Sequence, residues 1–532
     1  MAELNKENTL GFASFELSQD NKTEDSLKKR YLYKLFANFA GFIINIGVAL
    51  IIPRSLKAKA YGDFSFLTNF FTRLVGFLDM GAATCFYTKL SKRQTETGLV
   101  TFYFYFTVVI SLLVAGFVLI AHLTSNHGRI WPDQFIFYVY LAAGWAILTW
   151  IIQVLQSIAD AYGLTVLAEF AKLIQKLVYL VLIILLFVIN RLNLSNFFFC
   201  HFLVLSLLCA SLVWIMAKRS YLLNFGWRLS QKEIRGYIKE FYQYCYPLFI
   251  FLIVGLIAGI FDRWLLQYYR GSVEQGFYSL SYQIGVICFL FTGAMTPLLM
   301  REFSIASHNQ DSARMTYLFR RYVPLLYSIA AYFSCFVAIN ADKIVHIIGG
   351  NFDGAVKAVA VMAFYPIHQT YGQLSSSIFY ATGQTKLYSN IGIITMLAGL
   401  PVTYLLIAPV DKMGLNAGAT GLAIKMVLLN FISVNIQVFF GLRFLRLSFW
   451  HNLIHQLLSI GCLFIFSLCA SIAVEHIPHI GTITICNFLL SGFFYTVMVV
   501  VVMYFFPFLF GVRREDINSA ISIVSNKFRL IK

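Results

Sequence analysis

Arg73 and Asp79 stand inside "FFTRLVGFLDMGAAT" (70–84), a run that otherwise reads as apolar helix. Lys34, Lys172, Lys176, Arg263 and Lys425, together with Glu169 and Asp262, are set in apolar stretches of the same kind. An ionised side chain at mid-bilayer costs about 2.5–3.5 kcal/mol on insertion scales, so such residues are expected to face a polar cavity or one another. Cations outnumber anions in this set, and a surplus of positive charge on inward faces suits an anionic ligand. Arginine in particular offers phosphate oxygens a planar fork of donors. Asp79, Glu169 and Asp262 suit gating or a site for a coupling ion, H+ or Na+. Helix packing and interhelical pairing would use them equally well.

Spacing limits which of these groups neutralise each other locally. Six helical residues separate Arg73 from Asp79, which places them about 120° apart in azimuth and about 9 Å apart along the axis. Lys172 and Lys176 share a face at i and i+4, where Glu169 satisfies only one of them well. Lys34 and Arg263 lie near span ends and are able to snorkel. Arg73, Lys176 and Lys425 lie about ten or more residues from either end, too deep for that. The expectation is therefore that Arg73, with Lys176 and Lys425, lines an aqueous cavity. The competing expectation pairs Arg73 permanently with Glu169 or Asp262 on another helix.

The elements that must carry these residues follow from composition. Of 532 residues 59% are hydrophobic and only 12% charged, against a charged share of about 25% in soluble domains. Long continuous apolar runs such as "LVYLVLIILLFVI" and "FFYTVMVVVVMYFFPFLFG" are helical spans, because barrel strands alternate. Windows of membrane length number about fourteen. The expected class is an all-α polytopic membrane protein. A polar tail (1–30) is followed by a six-helix lobe (31–217), an amphipathic linker (218–245), a second six-helix lobe (246–441), two further spans (442–510) and a basic tail (511–532). Lys and Arg crowd the segments that fall inside when the amino terminus is cytoplasmic, so both termini are expected there. That distribution accounts for the net charge of +17 without a nucleic-acid partner. Residues 1–26 lack the apolar core of a signal peptide. The nine cysteines have no zinc-like spacing and read as small buried hydrophobes. No metal or cofactor is implied.

Within the linker, Trp227, Ile234, Ile238 and Phe241 recur at helical intervals with basic residues between them. That is the pattern of a helix on an anionic leaflet. In the tenth span "FYPIHQTYGQLSSS", Pro366 is expected to kink the helix and His368 to be a hydrogen-bonded interior residue. The last two spans have no ionisable residue except Glu475 and histidines near their ends, and are expected to be lipid-facing and peripheral.

Two internal echoes divide the chain. "YGDFSFL" (61–67) resembles "QGFYSLS" (275–281), and "DAYGLTVLAEFAKLI" (160–174) resembles "YATGQTKLYSNIGII" (380–394). Two echoes in the same order suggest duplicated halves. With "IIPRSLKAKAYGDFSFL", "FLDMGAAT", "FDRWLLQYYRGSVEQGFYSLSYQIG" and "MGLNAGATGLAIKMV", the chain resembles the Wzx-type polysaccharide flippases of the multidrug/oligosaccharidyl-lipid/polysaccharide exporter superfamily. It departs from them at "SLKAKAYG", where a glycine often follows the Leu, and in its longer polar tail.

The resemblance implies a two-lobed, V-shaped bundle that carries polyprenyl-pyrophosphate-linked sugars across the bacterial inner membrane by alternating access. Membrane lipid, and the polymerase and glycosyltransferases of the same pathway, would be its partners. A multidrug exporter of the same superfamily would move organic cations and want an acidic cavity. A membrane-embedded polymerase or glycosyltransferase would want a large outer domain, and the outer connections here are short.

Overall fold

In a computed structural model the described residues are 27–93, 96–218, 229–246, 249–288, 296–477, 484–515 and 517–518, with no side chains described for 27–39, 42 and 296–298. Of the expected tails at 1–30 and 511–532, residues 1–26, 516 and 519–532 lie outside them, as does Trp227 of the linker. Every regular element among the described residues is helical. They are α1 (Leu27–Asp79), α2 (Ala82–Lys92), α3 (Thr97–Leu123), α4 (His127–Ile130), α5 (Ile136–Ala161), α6 (Thr165–Val188), α7 (Leu194–Lys218), α8 (Gln231–Cys245) and α9 (Phe249–Ile287). They continue with α10 (Thr296–His308), α11 (Ser312–Ile339), α12 (Ala341–Ile348), α13 (Val356–Met362), α14 (Tyr365–Ala381), α15 (Thr385–Ile407), α16 (Gly418–Phe444), α17 (Phe449–Glu475) and α18 (Thr484–Phe505). Ten of these are long and apolar enough to cross a membrane, and the chain is a multi-pass membrane protein.

The remaining apolar windows are interrupted, for local reasons. In α1 the backbone breaks from helix at Lys57 (φ 60, ψ 172), four residues after Pro53, whose missing N–H leaves one rung of the ladder unmade. α9 breaks in the same way at Gly271 (φ 73, ψ −172). Only glycine enters this region without strain, so the backbone is strained at Lys57 and relaxed at Gly271. The run that opened the reading is also broken. Met80 (φ 50) and Gly81 (φ 80) end α1, and the Asp79 carboxylate accepts the Ala83 N–H (3.1 Å) at the start of α2. Pro366 makes no mid-helix kink: α13 stops at Met362, and Pro366 stands in the first turn of α14, where its missing N–H would be unpaired anyway.

The chain sorts into two compact units. One takes in Met1–Ala49, Leu74–Leu123 and Phe137–Phe249; the other takes in Leu50–Arg73, Thr124–Ile136 and Ile250–Lys532. In the second unit the echoed segments meet. A Cβ on Gly62 would stand 1.8 Å from the Ser272 carbonyl oxygen, and one on Gly276 would stand 2.1 Å from that of Ala58. Ser279 Oγ donates to Ser65 Oγ at 2.6 Å across the same crossing, 214 positions apart. Lys57 and Gly271, Gly62 and Gly276, and Ala58 and Ser272 all share that spacing. The second echo is realised as one turn used twice: Gly163 (φ 75) joins α5 to α6, and Gly383 (φ 71) joins α14 to α15.

The core of the second unit is assembled around α11, whose Phe319, Tyr327 and Cys335 are buried with Leu463 and Ala470 of α17 and Tyr495 of α18. The last two helices thus pack one face into this core, while Ile465, Leu468, Leu489 and Phe493 on them are exposed. Glu475 is engaged as well: Lys343 Nζ of α12, buried, reaches Glu475 (3.1 Å), Ser471 (2.6 Å) and Asn340 (3.1 Å).

Candidate functional site

The kink at Gly271 turns the second limb of α9 back toward the first. Gln275 and Ser279 thereby come beside Arg263, and Arg263 Nη1 donates to Gln275 Oε1 (3.0 Å) and Ser279 Oγ (2.8 Å). Its guanidinium also lies 4.3 Å from the Tyr278 ring centroid. All these partners are neutral, so Arg263 is held in place with its charge uncancelled. Tyr61, at the start of the echoed motif on α1, donates to Gln283 on the same limb of α9. It stands within electrostatic reach of Arg263, as do Tyr278 and Tyr282.

Arg73 lies against the first limb of α9, one turn before Arg263. A Cβ on Gly259 would stand 3.2 Å from Arg73 Nε, so the glycine makes room for the guanidinium. Arg73 is exposed and near enough to act electrostatically on Arg263 and on Tyr365 of α14. The Tyr365 and Tyr282 rings are 5.9 Å apart. The second unit therefore gathers two arginines among four tyrosines: Tyr61, Tyr278, Tyr282 and Tyr365.

The carboxylates proposed as partners for Arg73 are engaged elsewhere. Lys425 Nζ donates to Asp262 Oδ2, the Thr403 hydroxyl lies 2.7 Å from Asp262 Oδ1, and both charged side chains are buried. Among the described residues, Lys425 is thus a closed ion pair with Asp262, with its stem against Gly399. In the other unit Lys172 pairs with buried Glu169 at 2.8 Å. Lys176 lies against Gly41, where a Cβ would be 2.3 Å from its Nζ. No carboxylate lies within ion-pair reach of Lys176 or Arg73 among the described residues. Asp79, buried, accepts the Tyr103 hydroxyl (2.9 Å) as well as capping α2. Lys34 is in α1, with its side chain outside the described residues.

Sequence reasoning found the charges and missed their neutral partners. Tyr61 and Gln275 open the two echoed motifs, yet as single residues in a chain with 30 Tyr they carry no distinguishing signal. Tyr278, Tyr282, Tyr365, Gln283, Thr403 and Tyr103 are placed by the Gly271 kink and by helix packing, which no periodicity reveals.

Residues 27–300 match the family described as polysaccharide biosynthesis protein. No curated protein sequence matches the chain. Among solved structures, the lipid II flippase MurJ in an inward closed conformation is similar with a TM-score of 0.64 at 12% identity, covering 89% of this chain and 98% of that one. An inward-facing multidrug resistance MATE family transporter of the MOP superfamily is similar at 0.61 and 14% identity, covering 78% and 98%. A MOP superfamily transporter from Pyrococcus furiosus, described as having a binding pocket of reversed polarity, is similar at 0.51 and 13%, covering 79% and 96%. Identities this low speak to fold alone. With the family matched over more than half its length, the chain belongs to the polysaccharide biosynthesis protein family and has the fold of MOP superfamily transporters.

Proposed function

We propose that this protein is a flippase that moves polyprenyl-pyrophosphate-linked oligosaccharide across the bacterial inner membrane by alternating access, with both termini cytoplasmic, in the assembly of a surface polysaccharide. The observation that carries this reading is Arg73: a deep, exposed guanidinium beside a second arginine, with tyrosines around it and no carboxylate to neutralise it. Two uncancelled guanidinium groups in a low-dielectric setting repel each other until an anion joins them. A pyrophosphate supplies that anion and accepts both forks. Sugars attached to it would meet tyrosine rings and hydroxyls. Lys176 adds a third cation, in the other unit, with no ion-pair partner among the described residues.

An organic-cation exporter would need the opposite arrangement, with carboxylates left open. Asp262 is taken by Lys425 and Thr403, Glu169 by Lys172, and Asp79 by Tyr103 and the start of α2. In this reading Lys425–Asp262 ties α9 to α16, Lys172–Glu169 is a pair within α6, and the cations left for an anionic ligand are Arg73 and Arg263 in one unit and Lys176 in the other. Coupling to H+ or Na+ would require one of these carboxylates to open during the cycle.

The test is glycan export in a strain lacking the gene, normalised to the amount of protein in the membrane. Arg73→Lys should export partly and Arg73→Ala should fail at normal abundance. Losing one charge-assisted contact weakens binding by about 1.5–3 kcal/mol, roughly ten- to hundredfold. Normal export by an abundant Arg73→Ala, Lys176→Ala double variant would refute the mechanism.

A further inference from the structure

α8 presents two different faces. Ser230 and Glu233 close a capping box at its start, so the helix is built to begin there. One face is docked on its own unit. Tyr237, Phe241 and Cys245 are buried against α2 and α3, with the Phe102 ring 5.3 Å from Tyr237 and 5.2 Å from Phe241. The Tyr237 hydroxyl donates to Glu96 (2.6 Å), and Glu240 takes Lys89 (2.6 Å) with Arg93 beside it (3.6 Å). The Lys89 hydrogen bond and the two cations hold the Glu240 carboxyl below the usual carboxylate range. Both acids of the helix, Glu233 and Glu240, project on one side within about 20° of each other.

A neighbouring face, about 100° around the helix, is open among the described residues. Ile238, Tyr242 and Tyr246 form an i, i+4, i+8 stripe and are 54%, 62% and 63% exposed. Lys232, Arg235 and Lys239, all exposed, flank that stripe within about 100° of arc. The sequence had suggested one apolar face holding Ile238 and Phe241 together. In the structure Phe241 turns inward to the protein and Ile238 outward.

We propose that this outer face of α8 is a docking surface for anionic phospholipid, seated at the boundary of the leaflet. Two observations select the lipid surface as occupant. The helix lies in the chain between α7 and α9, both of membrane-spanning length, which keeps it at a bilayer boundary. Its aromatic and aliphatic side chains also share an arc with three cations from which the acids are excluded, the distribution of an interfacial helix on negatively charged headgroups. The docked face then ties that lipid contact to the α2–α3 connection through Glu240. The inference is independent of which substrate is transported.

Hydrogen exchange on the full-length protein in nanodiscs tests it, read on the peptide spanning residues 231–246. Exchange should be slower in phosphatidylglycerol discs than in phosphatidylcholine discs, and the difference should shrink in high salt. Each basic residue near an anionic surface contributes about fivefold, so K232Q/R235Q/K239Q should lose roughly a hundredfold of lipid-dependent protection while keeping the phosphatidylcholine level set by the docked face. Should that variant fail to fold, I238Q/Y242Q, which leaves every charge in place, should weaken the same protection. Equal exchange in the two lipids, or undiminished protection in a folded triple variant, overturns the proposal. Protection by inorganic phosphate in phosphatidylcholine discs also overturns it, since the site would then read a free anion and not a surface.

Discussion

The Lys425–Asp262 pair gives the sharpest test of how this protein disposes its intramembrane charge. Both side chains are buried, and Thr403 takes the second carboxylate oxygen. Removing one partner of such a pair leaves an uncompensated buried charge and costs about 3–5 kcal/mol, whereas exchanging both partners for well-packed neutral residues is close to neutral. Total stabilities of about 5–15 kcal/mol make the single loss visible as protein that fails to accumulate. Lys425→Met alone should sharply lower the membrane level and the unfolding temperature, and so should Asp262→Asn less severely, because Lys425 then faces a neutral amide. Lys425→Met with Asp262→Asn should restore both. Arg73→Ala, which strands no carboxylate, should leave abundance unchanged and remove export. Fluorescence-detected gel filtration of membrane extracts measures the first quantity, and heating before the run measures the second. If Lys425→Met is as abundant and as heat-stable as wild type, Lys425 is not locked to Asp262, and its place as a cavity cation beside Arg73 is recovered.

Lys57→Gly should stabilise the protein by about 1–3 kcal/mol in the same heating assay, because the backbone at φ 60, ψ 172 suits glycine alone; Gly271→Val should do the reverse. Gly276→Ala should destabilise by about 1–3 kcal/mol or more, since its Cβ would lie 2.1 Å from a backbone oxygen that cannot swing away. Normal yield of that variant would mean the crossing at Gly62 and Gly276 is loose. Truncation after Phe444 should abolish accumulation, because it uncovers Tyr327 and Phe319 and strands Lys343; a soluble, monodisperse truncation would restore the view that α17 and α18 are peripheral.

The class was legible because it depends on summed apolarity, which a window reads directly; the number of spans was not, since windows count about fourteen and ten described helices are long and apolar enough to cross a membrane. Interruptions were legible only where a residue announced them. A glycine marks the kink at Gly271 and Pro53 stands one turn before the kink at Lys57, whereas the break after Asp79 looks in sequence like two more helical residues. The charges of the site were equally visible, since any ionised residue in an apolar run stands out. Their pairing was not. Asp262 and Lys425 belong to helices distant in sequence, and whether Asp262 meets Lys425 or Arg73 depends on packing angles that local spacing does not contain. Arg263 reads in sequence equally as a snorkelling residue near a span end and as a cation for an anionic ligand; in the structure its guanidinium is held by Gln275, Ser279 and the Tyr278 ring.

The two echoes separate architecture from chemistry more finely than either motif does alone. Where corresponding positions keep the same character, they do structural work: Gly62 and Gly276 at the crossing, Ser65 and Ser279 across it, and Gly163 and Gly383 in the turns. Gly41 and Gly255 belong with them, for each leaves room for a side chain of the helix that follows its half's repeated turn. The side chains that fill those two places differ: Lys176 lies against Gly41, and Met396 lies against Gly255. The same holds for Arg73, Arg263 and Asp262. At the spacing that joins Ser65 to Ser279, Arg73 corresponds to Ile287, Arg263 to Ala49 and Asp262 to Val48. Charge confined to one member of each corresponding pair makes the two halves unequal, which is what the proposed substrate would require, since a pyrophosphate that bridges a lipid chain and a sugar differs at its two ends.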